Sequence, residues 1–113
     1  MLGVGKAFNE SGRSGYMAHY VALVKWTEQG IRTVKEAPKR VENVRRMAQK
    51  LGGSMQVYYT MGEYDIVSIV EMPSDEAYNK FALWLGGQGN VRTRSLKAWT
   101  AEEASKMIAE IPQ

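Results

Sequence analysis

Residues 54–72, SMQVYYTMGEYDIVSIVEM, have few folding options other than a β-hairpin. Successive side chains on a strand point to opposite faces, and here an apolar/mixed alternation runs on through a turn. Glycine at the first central position suits a type II′ connection, which places the turn at Gly62-Glu63. The implied register sets Met61 opposite Tyr64, Thr60 opposite Asp65, Tyr59 opposite Ile66, Val57 opposite Ser68 and Met55 opposite Val70. One face then carries Met55, Val57, Tyr59, Met61, Tyr64, Ile66 and Val70 and is expected to be core. The other carries Gln56, Tyr58, Thr60, Asp65, Val67, Ile69 and Glu71. That second face is too apolar for plain solvent and too polar for a dry core.

The rest of the chain supplies partners for the hairpin. His19–Trp26, HYVALVKW, is apolar on both faces at its centre and predicts a central strand. Thr27 can cap a helix beginning at the next residue. Ile31, Val34, Val41, Val44, Ala48 and Leu51 recur at helical spacing. Pro38 divides that stretch into a short helical turn near 28–36 and a main helix from about Pro38 to Leu51. Gly52-Gly53 stops the main helix. Beyond the hairpin, Pro73 ends the strand and Ser74 caps a second helix, with Asp75 and Glu76 at its positive dipole end. Ala77, Tyr78, Phe81, Trp84 and Leu85 form its inward side, and Gly86-Gly87 closes it. Gly89-Asn90 turns the chain into a fourth strand, Val91–Thr100. Thr100 and Glu103 have capping-box spacing and begin a last helix with Ala104, Met107, Ile108 and Ile111 along one side.

The element order is β-α-β-β-α-β plus a C-terminal helix. That is the ferredoxin-like α+β pattern, a four-stranded antiparallel sheet with two helices on one face. Little remains to cover the mixed face. Leaving Tyr58, Val67 and Ile69 in water exposes an apolar patch, so the expected unit is a homodimer or higher oligomer with sheets face to face, a dimeric α+β barrel.

At 113 residues the chain has room for one domain and a real core. The expected division is a flexible leader, residues 1–16, with four glycines, and a folded domain, 17–113. Met17 is a plausible alternative start. The absence of cysteine excludes disulfides, zinc-thiolate sites and cysteine nucleophiles, and a single histidine excludes a multi-histidine metal site within one chain. No metal or cofactor is expected. No apolar run reaches the ~20 residues of a membrane span, and no secretory h-region is seen. The cytoplasm is the expected location. Charge is concentrated: residues 32–50 hold seven basic side chains against Glu36 and Glu42, a local +5 in a chain of net +3.

GIRTVKEAPKR (30–40), LGG (51–53), GEYDIVSIVE (62–71) and GNVRT (89–93) resemble the GYD-domain family, over about Tyr20 to Met107. Gly62, Tyr64 and Asp65 match the letters of its name. The resemblance implies a ferredoxin-like domain of the dimeric α/β-barrel type and no particular activity. The GEYD hairpin also looks like the effector-sensing domain of leucine-responsive transcription regulators, whose fold assembles into oligomers and binds small molecules. No helix-turn-helix accompanies it here.

Three residues stand out as possible ligand contacts: Tyr58, Asp65 and, less directly, His19. Asp65 comes just after a tight turn, where a carboxylate commonly accepts hydrogen bonds from turn amides or a neighbouring hydroxyl such as Thr60. His19 could act as a general base, a role imidazole side chains often take, though a lone histidine at a strand start more often serves a surface or interface. The tyrosines and tryptophans could line a pocket, but rings are commoner as packing. No nucleophile–base–orienter set can be named. The basic helix reads as a solvated face, with Glu42 placed to pair with Arg45 or Arg46, and specific nucleic-acid binding is not expected. Two functions are compatible with these residues: an oligomeric, non-catalytic small-molecule-binding or sensing module, and a cofactor-independent dimeric-barrel enzyme, of monooxygenase or isomerase type. A ligand is expected between the sheets near Tyr58 and Asp65, with the helix side packed solid by Val41, Val44, Phe81 and Leu85.

Overall fold

A computed structural model describes residues 16–113. The leader proposed for 1–16 therefore lies, but for Tyr16, outside the described residues. In chain order the elements are β1 (Ala18–Trp26), α1 (Glu28–Arg32), a 3-10 turn (Val34–Glu36), α2 (Ala37–Lys50), β2 (Ser54–Tyr59), β3 (Ile66–Met72), α3 (Asp75–Gly87), β4 (Val91–Ala98) and α4 (Ala101–Ala109). The strands form one antiparallel sheet in the order β2-β3-β1-β4, the ferredoxin-like arrangement. β1 sits inside the sheet, as its two-faced apolar centre predicts.

Local chemistry sets the element ends. Thr27 accepts from the Gly30 amide and Ser74 from the Ala77 amide, each satisfying a free donor at a helix start. Thr100 and Glu103 form a reciprocal capping box. α2 ends in a Schellman pattern: the Gly52 amide donates to Gln49 and the Gly53 amide to Ala48, with Gly52 at φ +89°. α3 ends at Gly87, as expected, and Gly89, at φ +82°, turns the chain toward β4.

The hairpin register is as expected, with Met55 opposite Val70, Val57 opposite Ser68 and Tyr59 opposite Ile66. The connection is wider than two residues. Its last cross-strand backbone bond runs from the Thr60 amide to the Asp65 carbonyl, leaving Met61–Tyr64 as the loop. Met61 is fully exposed and Tyr59 half-exposed, against the expectation that both are core. β2 is an edge strand, and the loop runs past the end of the helical layer. Ile31 and Val34 are also exposed. The 3-10 turn before Pro38 breaks the helical phase, so they cannot share the buried stripe of α2.

The helix-facing side of the sheet is filled unevenly. At one end Tyr20, Val70, Met72, Tyr78 and Phe81 pack with Ala48 of α2. Tyr20 and Tyr78 stack with ring centroids 3.9 Å apart, and the Tyr78 hydroxyl lies 2.6 Å from Ser95 Oγ. At the other end Val24, Ile66 and Val91 form a smaller cluster with Ala22. The row between them crosses the sheet as Val57, Ser68, Ala22 and Ser95. Three of its four side chains are small, so the middle of the sheet is recessed.

Candidate functional site

The recess opens into a cavity of about 390 Å³ between the sheet, α2 and α3. Its floor is the sheet, with Val24, Val57, Ile66, Ser68 and Val91. Val41, Val44 and Met47 of α2 form one wall, and Trp84 and Leu85 of α3 the other. This overturns the expectation of a solid helix side: Phe81 is packed, but Val41 borders the cavity, and Val44 and Leu85 pack on the core with one side and border the cavity with the other. Ser68 is only 5% exposed and is the buried polar side chain of the described core. Arg40, Arg46 and Lys50 also line it, with the amides of Asn43, Gln88 and Asn90, and among the described lining residues none is acidic.

The basic residues of α2 have different employments. Arg40 donates to the Gly30 and Thr33 carbonyls and to Thr33 Oγ1, tying α1 to α2. Arg45 donates to the Met55 carbonyl at 3.1 Å, fastening α2 to the edge strand. Arg46 donates to Asn43 Oδ1. The expected pairing of Glu42 with Arg45 or Arg46 is replaced by these bonds.

The three residues singled out from sequence lie away from this cavity, on the opposite face or at its margin. Tyr58 stands across from Val67 on the open face and is 55% exposed. Asp65 Oδ2 accepts the Trp26 amide at 2.9 Å, while the Asp65 amide donates to the Val24 carbonyl. Its partner is thus the end of β1, not a turn amide; Thr60 Oγ1 instead donates to the Tyr64 carbonyl. The neighbouring loop residues reach the same strand. Glu63 lies 3.9 Å from Lys25 Nζ, and that ammonium sits 5.4 Å from the Tyr64 ring centroid. Gly62 takes φ +111°, a conformation costly for any residue with a Cβ. The GEYD loop is in this way latched to β1 through Glu63, Tyr64 and Asp65, with Gly62 making the bend.

His19 occupies the far end of β1, paired with Glu71 and Ala98. Lys25, beside Asp65, is six residue steps along the strand, or about 20 Å at ~3.3 Å a step. One chain therefore does not bring His19 and Asp65 together. His19 Nε2 lies 3.8 Å from Glu71, and Nδ1 lies 3.9 Å from Glu103 of α4. Nδ1 is buried without a hydrogen-bond partner among the described residues. No group of three His, Asp or Glu side chains placed to hold a metal occurs among those residues, nor is any helix there long and apolar enough to cross a membrane.

The GYD domain model matches residues 20–108, the same span that carries the hairpin, both sheet-covering helices and the GEYD latch. The chain belongs to the GYD domain family. None of the curated proteins matches it. In this GYD domain the motif residues contact the end of β1, whereas the cavity draws on α2, α3 and the sheet around Val57, Ile66 and Ser68. The cavity is not foreseen from sequence. Its signal is Ser68, a small residue at an inward strand position where a bulky one is usual.

Proposed function

We propose that this GYD domain is a non-catalytic, self-associating small-molecule-binding module. The observation that supports binding is the helix-side cavity: about 390 Å³, mainly apolar on floor and walls, with Ser68 in the floor and polar groups at its rim, the usual make-up of a small-molecule site. Among the described residues no acid–base or nucleophile set faces it, which favours holding a ligand over transforming one. In this reading the site is the cavity, not the sheet surface around Tyr58.

Self-association is proposed through the open face. Its rows are Tyr58–Val67–Leu23–Arg94 and Gln56–Ile69–Val21–Leu96, bordered by Glu71–His19 at one end and Lys25–Arg92 at the other. Tyr58, Ile69 and Leu96 are exposed, as are Met107, Ile108 and Ile111 at the C-terminal end. A second copy of the same sheet would bury that apolar middle. A cytoplasmic location and the absence of a specific nucleic-acid partner belong to the same proposal.

One observation favours a second reading. His19, held between two carboxylates with an unpaired ring nitrogen, is a candidate acid–base group, which would make the paired open faces the site of a cofactor-independent enzyme. Native mass spectrometry of protein purified from its own host separates the readings. The binding module predicts a retained small molecule that survives His19→Ala and is released when the cavity is filled. Loss of the adduct in His19→Ala alone would favour the enzyme.

A further inference from the structure

We infer that the cavity ligand is an amphipathic monoanion, a carboxylate with an aliphatic or aromatic body of about a dozen non-hydrogen atoms. This rests on the cavity reading above and specifies its chemistry. The size is set by a volume of about 390 Å³ and the ~30 Å³ that one water occupies in the liquid. The body belongs against Val24, Val57, Ile66, Leu85 and Val91, where burial is favourable in proportion to apolar area.

The head group is indicated by the rim. Arg46 and Lys50 project from adjacent turns of the exposed side of α2 and line the cavity. Among the described residues no carboxylate lies within ion-pair reach of either. Arg46 commits an N–H to Asn43 and leaves others available; Arg40, by contrast, is engaged with three oxygens and serves as wall. Two cations at the mouth of an apolar cavity attract an anion and repel a cation.

A second observation lies at the floor. Ser68 is buried at the centre of the sheet and lines the cavity, so a hydroxyl borders the otherwise apolar floor. A bulky apolar residue there would fill the recess and remove that hydroxyl. The cavity therefore keeps both its depth and a hydrogen-bonding group for a water or a ligand substituent.

The test uses three probes of one size: octanoate, octanol and octylammonium. They are titrated into the full-length protein at low salt and followed by calorimetry and by the fluorescence of Trp26 and Trp84, which line the site. Octanoate should bind at one per chain, about tenfold tighter than octanol, the scale of one charge-assisted contact, and octylammonium weakest. The double substitution Arg46→Gln and Lys50→Gln, at exposed positions, should remove that preference while octanol binding changes less than about twofold. Ser68→Leu should weaken both probes; if it unfolds the protein, the exposed pair still decides the question. Equal binding of octanoate and octanol, or a preference that survives the double substitution, overturns the anionic class and leaves the cavity reading standing. Failure of all three probes to bind at millimolar concentration overturns both.

Discussion

Asp65 shows how one carboxylate can organise a hairpin without being a ligand contact. It satisfies the Trp26 amide at the end of β1 just where the ladder with β3 runs out. Removing the acceptor strands that amide, so Asp65→Ala should cost about 1–3 kcal/mol. Asp65→Asn keeps an amide oxygen and should cost less. Urea melts of the two variants check this; an Asp65→Ala protein as stable as the parent would contradict it. At the other end of the sheet Asp75 receives Lys97 Nζ at 2.7 Å and the Tyr20 hydroxyl. Lys97, then Tyr20, hold the Asp75 carboxyl below its ordinary value of 3.8. Its contribution to stability is complete above that value and is lost as pH falls through the lower folded one. Tyr20 is shifted the opposite way, upward from 10.0, first by burial and then by Asp75. Its contribution is present below 10.0 and is lost as pH rises beyond. Melting temperature against pH should fall at both ends, with the alkaline fall reduced in Tyr20→Phe and the acid fall reduced in Asp75→Asn. Unchanged limbs in these variants would rule out the assignment.

At the scale of elements, close approach explains two glycines of the family-like segments. A Cβ on Gly30 would lie 2.0 Å from the Asn90 carbonyl oxygen, and one on Gly53 would lie 2.1 Å from that of Glu71. Gly30→Ala must push α1 off the loop before β4, breaking the Thr27 amide bond to Asn90. A loss of roughly 1–3 kcal/mol is expected, as for other overpacked sites; a melting temperature within a degree of the parent would contradict the packing. Much of this element-level structure is legible in sequence. Thr27, Ser74 and the Thr100–Glu103 box act within three residues of themselves, and hairpin register is dictated by alternation. Reading fails where an outcome depends on distant elements. Met61 and Tyr59 alternate correctly, yet nothing in the hairpin says that the helical layer ends before them. The cavity is illegible because it depends on Val24, Val57, Ile66, Ser68 and Val91 meeting from four strands, and on how far α2 and α3 stand from them.

For the whole molecule, the two sides of the sheet make separate claims. The open face should be buried by a second copy, with an interface of more than ~1,000 Å² in total. Light scattering on a size-exclusion peak should give a dimer or larger at micromolar concentration, and Leu96→Arg with Ile69→Lys should lower the mass to that of one chain. A wild-type peak already at the monomer mass would contradict self-association. The helix side should hold the ligand whether or not the faces are paired. Methyl-resolved NMR tests this most directly, with octanol and octanoate added to the full-length protein. The cavity account predicts saturable shifts at Val24, Val41, Val57, Ile66, Leu85 and Val91, with Val21, Leu23, Val67, Ile69 and Leu96 little changed. Shifts confined to that second set would place the ligand on the open face beside Tyr58 and contradict the account.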